Sequence, residues 1–451
     1  MPRRLTRRDA LAAAGGAALG SLAGCLGGGG ESRFWDDPPS LDVEAVPREF
    51  DGPFPERPRL VPVDVEPAVA AAFADRVDRL LSPIPEPLTA ETLPNGEFRE
   101  QIATERTAAR EALPGGPTSL TPLEAAERYA TAREHAATAV GTWAAVTVEG
   151  DPTAVAPDLG TVRRRASETL RELPGPAADP LAAAAVYGPM ERWYDVARRR
   201  TLVGGGVGPA DRANPLRTGD AIGDVERVQA HVEAGRYLRD RYAASLGDPA
   251  SVAEPLRREM NRIGRAVGDR LRELHGEGVE DLRRNPGTEA FVDERAVERG
   301  APSDALLSSA VYRSFDGMWF DPVAFGDYEP DNPATGLTRT ALAWTRLRAL
   351  DAVASRVEEG DAMFPDEPTA IGDAREGAVE SASSLAGSEN PLARWLATEF
   401  LALFDEPDGA LAAADRTARS TVEAYTRYRW IEIVTGEALA VAASVADSFG
   451  S

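Results

Sequence analysis

Apolar positions along this chain recur at spacings of three and four, which predicts helix almost throughout. The clearest case runs from Pro249 to about His275. There Val252, Leu256, Met260, Ile263, Val267, Leu271 and Leu274 form one stripe, with Asp248 placed to cap the first amides and Gly276 and Gly278 to stop the helix. The preceding stretch repeats the pattern with Ile222, Val225, Val228, Val232, Gly235, Leu238, Tyr242 and Leu246. Asp151-Pro152, Asp179-Pro180 and Asn390-Pro391 pair a capping side chain with a first-turn proline, and Thr121-Pro122-Leu123-Glu124 has the spacing of a capping box. No convincing alternating strand interrupts the series. The expected fold is all-α, about a dozen helices in stacked or bundled hairpins behind an extended N-terminal tether.

Three regions follow. Residues 1–24 are short, positively charged and weakly apolar. Residues 25–66 are Gly- and Pro-rich: Gly27 to Gly30 is a spacer, and prolines recur from Pro38 to Pro62. Proline at that density favours extended chain, either as a stalk or as a strap laid along the domain. Residues 67–451 form the helical domain. Val203 to about Gly219, glycine-rich at its start, reads as a linker that subdivides it near 203–220. Gly150-Asp151-Pro152 and Gly247-Asp248-Pro249 open similar seven-residue stretches. They are either the turns of duplicated hairpins or two independent solutions to the same turn.

Within the first region, Arg7-Arg8 precede an Ala/Gly-rich run that ends in Leu22-Ala23-Gly24-Cys25. Charged head, short apolar segment and small-residue site make a secretory signal rather than a spanning helix. These residues closely resemble a twin-arginine (Tat) export signal ending in a lipobox. The resemblance implies export by the Tat machinery, cleavage before Cys25, a lipid on its thiol, and residence on the outer face of the cytoplasmic membrane.

Charge sharpens this picture. The chain carries 73 acidic against 50 basic residues, a net −23, and every basic residue is arginine. Such a surface repels nucleic acid. A lysine-free, acid-rich lipoprotein resembles the surface proteins of halophilic archaea, whose molar salt screens carboxylate repulsion over a few ångströms.

The chemistry is sparse. Without lysine there is no Schiff base and no phosphate-loop lysine. With Cys25 lipidated, no thiol remains for catalysis, disulfide or metal. His135, His231 and His275 lie too far apart for a paired metal motif; the first two read as partly buried structural histidines, and the third as a favourable charge at a helix C-terminus. Neither a metal nor a cofactor is expected. Trp143, Trp193, Trp344, Trp395 and Trp430 fall on helical patterns and read as core. One segment, Phe315 to Gly336, lacks helical period and combines Trp319, Phe320, Phe325 and Tyr328 with Asp321 and Asp327. It is either a loop whose aromatics plug the helical core and whose acids belong to the acidic surface, or a candidate ligand loop, with the aromatics as a platform for a sugar or other flat apolar face. Asp327, Glu329 and Asp331 only weakly imitate a calcium loop, since Asn332 stands where the turn glycine should be.

These readings point to a membrane-tethered helical binding or scaffold protein that engages a cell-surface protein or a small molecule. A hydrolase built as an α/α toroid with two carboxylates in a cleft is the alternative. A solute-capturing lipoprotein of a transporter is a third, weakened by the absence of strands.

Overall fold

The computed structural model describes residues 41–48, 50, 54–114, 120–147, 151–155, 158–200, 214–275, 291–292, 295, 297–315, 332–361 and 363–450. The architecture is all-α. In chain order the helices are α1 (Pro67–Leu81), α2 (Gly96–Ala112), α3 (Pro122–Val146), α4 (Pro152–Val155), α5 (Leu159–Arg171), α6 (Pro180–Arg200) and α7 (Pro215–Ser245). Then follow α8 (Ala253–His275), α9 (Pro302–Phe315), α10 (Pro333–Glu358), α11 (Thr369–Ala386), α12 (Pro391–Phe400), α13 (Asp405–Ala412) and α14 (Ala418–Gly450). Among the described residues the only β-type pairing is a single bridge, Ala177 to Ala250.

Local chemistry sets the helix starts. The Thr121 hydroxyl accepts from the Glu124 N–H while the Glu124 carboxylate accepts from the Thr121 N–H, completing the capping box of α3. Asn214 and Asn390 cap α7 and α12 through their side-chain oxygens, and Asp179 accepts from the Ala182 N–H at 2.8 Å. Two expected boundaries move. The linker expected to reach Gly219 ends by Asn214, where α7 begins; 201–213 lie outside the described residues. The helix expected from Pro249 begins instead at Ala253, because Ala250 exchanges both backbone hydrogen bonds with Ala177 and is held extended. Asp151-Pro152 opens only the four-residue α4, so the two similar stretches do different structural work.

Three apolar clusters hold the bundle. The largest gathers α5 to α10, α12 and α14, and takes in the predicted stripe from Val252 to Leu271 at 4% exposure or less. A second lies among α1, α2 and α3, and a third among α11, α13 and α14. α10 is buried over most of its length, packed by α6, α8, α9, α12 and α14, with its arginines and Asp351 confined to the less covered positions. α14 is long and apolar enough by composition to cross a membrane, yet Tyr428, Val434, Ala438, Val441 and Val445 are buried against neighbouring helices. Over its described part, the predicted tether is a strap: Val46 joins the third cluster, and Leu60, Val61 and Val63 join the first. Those apolar residues, interleaved with the prolines, give the segment something to bury.

α3 and α7 pack antiparallel with their backbones unusually close. A Cβ at Gly219 would lie 2.1 Å from Thr142 Oγ1 and 2.7 Å from the Thr138 carbonyl, and one at Gly223 would lie 2.2 Å from Thr138 Oγ1. Beside this seam sits a buried ionic knot. Arg133, 2% exposed, donates to Glu226, 0% exposed, and to Glu233; Arg76 of α1 grips Glu226 with two bonds of 2.9 and 3.0 Å. Gly219→Ala should therefore cost about 1–3 kcal/mol through forced separation of α3 from α7. Glu226→Ala, which strands a buried guanidinium, should cost about 3–5 kcal/mol. Denaturant unfolding at constant salt measures both, and the second loss should exceed the first.

Candidate functional site

The side chains around one cavity come from five helices, brought to one place by helical spacing. Glu124, Glu127 and Arg128 lie on one face of α3, and Pro189, Arg192, Trp193 and Val196 on one face of α6. Arg227, Val228 and His231 come from α7; Thr335, Thr338 and Arg339 from α10; Trp395, Thr398 and Glu399 from α12. The strap closes the remaining side with Arg57, Pro58 and Leu60. The cavity measures about 690 Å³, within the range of small-molecule sites.

One wall is a polar relay. Glu127 accepts from Trp193 Nε1 at 2.8 Å and faces His231 Nε2 at 3.1 Å, while the Trp193 and His231 rings stack 5.0 Å apart and nearly parallel. Arg227 approaches Glu127 at 3.5 Å and pairs with Glu134 at 2.7 Å. Burial is the largest single influence on Glu127 and pushes its pKa up. The His231 bond and charge, the indole N–H and Arg227 together outweigh burial and hold the carboxyl down at about 2. These partners favour the ionised carboxylate of Glu127 over its protonated form.

Behind the opposite wall lies Glu191, fully buried on α6. Its carboxylate receives the Thr335 N–H at 2.7 Å and the Ala334 N–H at 3.4 Å, so it caps α10 in place of Asn332, whose side chain makes no capping bond. The Thr335 hydroxyl returns a bond to the Gly188 carbonyl at 2.9 Å. Burial raises the Glu191 pKa to about 8, against the opposing pull of the Thr335 and Ala334 N–H groups and of Arg257.

The expected site residues fare differently. Arg7, Arg8, Leu22, Ala23, Gly24 and Cys25 lie outside the described residues, as do Trp319, Phe320, Asp321, Phe325, Asp327 and Tyr328. The far end of that loop is corrected: Pro333 to Gly336 form the first turn of α10, with Asn332 buried before it. His135 bonds Glu105 at 2.6 Å away from the cavity, and that bond raises its pKa. His231 is buried, as expected, and is also a cavity wall. The sequence reading missed it as a site residue, together with Trp193 and Trp395, because each sits on an apolar helical stripe. The visible signal was weak: Glu127 and Arg128 project from the α3 face that also carries Leu123. Among the described residues, no group of three or more His, Cys, Asp and Glu is arranged to hold a metal ion.

Residues 68–248 match a family model described as "Domain of unknown function (DUF8262)", and residues 253–447 match another described as "Domain of unknown function (DUF8264)". No curated protein and no solved structure matches the chain. The two matches meet at the turn before α8. The cavity takes α3, α6 and α7 from the first and α10 and α12 from the second.

Glu191 makes this junction sensitive to pH. Its pKa in the folded chain lies above the ordinary 4.5, so its stabilising contribution is complete below about pH 4.5 and is lost as pH rises through about 8. Between those limits the wild type should lose up to about 1.4 kcal/mol of stability per pH unit through this group. Glu191→Gln should flatten that slope, as read from unfolding free energies of the two proteins across the window at constant salt. Parallel curves would sink the assignment.

Proposed function

We propose that this chain is a lipid-anchored extracytoplasmic binding protein that takes its ligand in the cavity between the two matched regions. One observation carries the reading: a cavity of about 690 Å³, of the size of small-molecule sites, in which charged side chains from five helices and the strap converge beside an apolar patch of Leu60, Val196, Val228 and Trp395. The export and lipobox resemblance at Arg7, Arg8 and Leu22 to Cys25 supports the anchored location, and the acid excess supports a surface working in high salt. A hydrolytic reading draws less support, because two of the three cavity carboxylates are already paired, Glu127 with His231, Trp193 and Arg227 and Glu124 with Arg57 at 3.5 Å.

Two measurements test this. Mass spectrometry of the protein from its native membrane should find an N-terminal peptide that begins at Cys25 and carries a lipid mass. A small-molecule extract of the same cells should raise the melting temperature of the purified protein. Val196→Trp, which fills the cavity from a partly exposed position, should abolish that rise without lowering the melting temperature of the free protein. An unmodified Cys25 would remove the anchor, and an extract without effect would remove the ligand.

A further inference from the structure

The cavity inverts the charge of the chain around it. Acidic residues outnumber basic ones by 73 to 50 overall, yet five arginines and three glutamates line the cavity. Two of the glutamates are engaged, Glu124 by Arg57 and Glu127 by His231, Trp193 and Arg227. Arg128 and Arg192, in contrast, make no hydrogen bond or ion pair among the described residues. Glu399 offers one negative charge from α12, and Arg339 offsets it from α10.

Among the described residues, most of the neutral donors are already committed, the Trp395 indole N–H being the exception. The hydroxyls of Thr335, Thr338 and Thr398 donate to backbone carbonyls, Thr121 donates to Glu124, and Trp193 Nε1 donates to Glu127. Hydrogen bonds offered to a guest therefore come chiefly from guanidinium groups, which only donate.

We propose that the ligand is an organic anion, with a carboxylate or phosphate head held by Arg128 and Arg192 and an apolar body against Trp395 and Val196. This rests on the binding function proposed above. The planar guanidinium fork suits both head groups. Arg128 is half-buried, so its attraction is less screened by salt than that of a surface charge. Arg128 and the exposed Arg192 bring two uncommitted cations to the cavity wall, and a bound anion supplies their counter-charge.

Four probes of one shape separate the chemistry: naphthylacetate, naphthyl phosphate, naphthylmethanol and naphthylmethylamine, titrated calorimetrically into the full-length protein. At least one acid should bind about tenfold more tightly than the alcohol and the amine, and the stronger of the two acids distinguishes carboxylate from phosphate. Arg128→Gln and Arg192→Gln should each weaken that acid about tenfold. Both should melt like wild type, since neither side chain holds a partner. Arg241→Gln, at the exposed pair with Glu66, should change nothing. Equal binding of acid and alcohol, unaffected by the two variants, overturns the anion while the binding function stands. Failure of both acids to bind variants and wild type alike also overturns the anion. The cell-extract measurement then judges the binding function separately.

Discussion

The contact on which this molecule depends is the carboxyl of Glu191 against the first amides of α10. Any helix start leaves N–H groups without partners inside the helix, and α10 starts in the interior, where water cannot supply them. Asn332 occupies the capping position but leaves its side chain out of the cap. The acceptor comes instead from α6, on the other side of the division between the two matched regions. One group thus completes the most buried helix of the bundle and sets how far α6 stands from α10. That separation is one dimension of the cavity. Thr335 reinforces it by returning a bond to Gly188, at a position where the next residue, Pro189, interrupts the hydrogen-bond ladder of α6.

Burying Glu191 and exposing arginines to the cavity are two sides of one electrostatic arrangement. In a chain of net −23, a concave site lined without bias would share the acidic excess and repel anions. This one has Glu124 and Glu127 paired locally, and Glu191 sits behind the wall in a form that burial favours as neutral. The Arg76–Arg133–Glu226 knot follows the same rule deeper in the first region, where each buried charge meets an opposite one.

Much of the fold was legible in the sequence because helix signals are local. The capping box at Thr121, the caps at Asp179 and Asn390 and the stripe from Val252 to Leu271 each depend on residues within a few positions of one another, and all are present. The failures are non-local. Ala250 is pulled out of the expected helix by Ala177, far away in sequence. Gly219 and Gly223 look like weak helix residues until α3 is laid against them. The cavity was hidden for the same reason. Arg57, Arg128, Arg192, Arg227 and Arg339 are ordinary outer-face arginines in a linear reading, and only the packing of α3, α6, α7 and α10 gathers them. Trp193 and His231 were assigned to the core, correctly as to burial; the stack between them required the pairing of α6 with α7.

The strap shows that the structural unit is larger than either matched region. The first match begins at residue 68, yet Arg57, Pro58 and Leu60 form a side of the cavity, and Val61 and Val63 are buried in the same core. Arg59 fastens the strap to itself by donating to the Val61 and Val63 carbonyls. The Tyr237 hydroxyl of α7 then accepts from the Glu66 N–H at 2.8 Å, where the chain turns into α1. Proline suits this role as it suits a stalk: each ring removes a backbone donor that would need a partner and keeps the chain extended. Neither region alone has all the walls. The first lacks α10 and α12, the second lacks α3, α6 and α7, and both lack the strap. A ligand in the cavity would touch all three, so its binding free energy would couple their association, and unfolding of any one would release it.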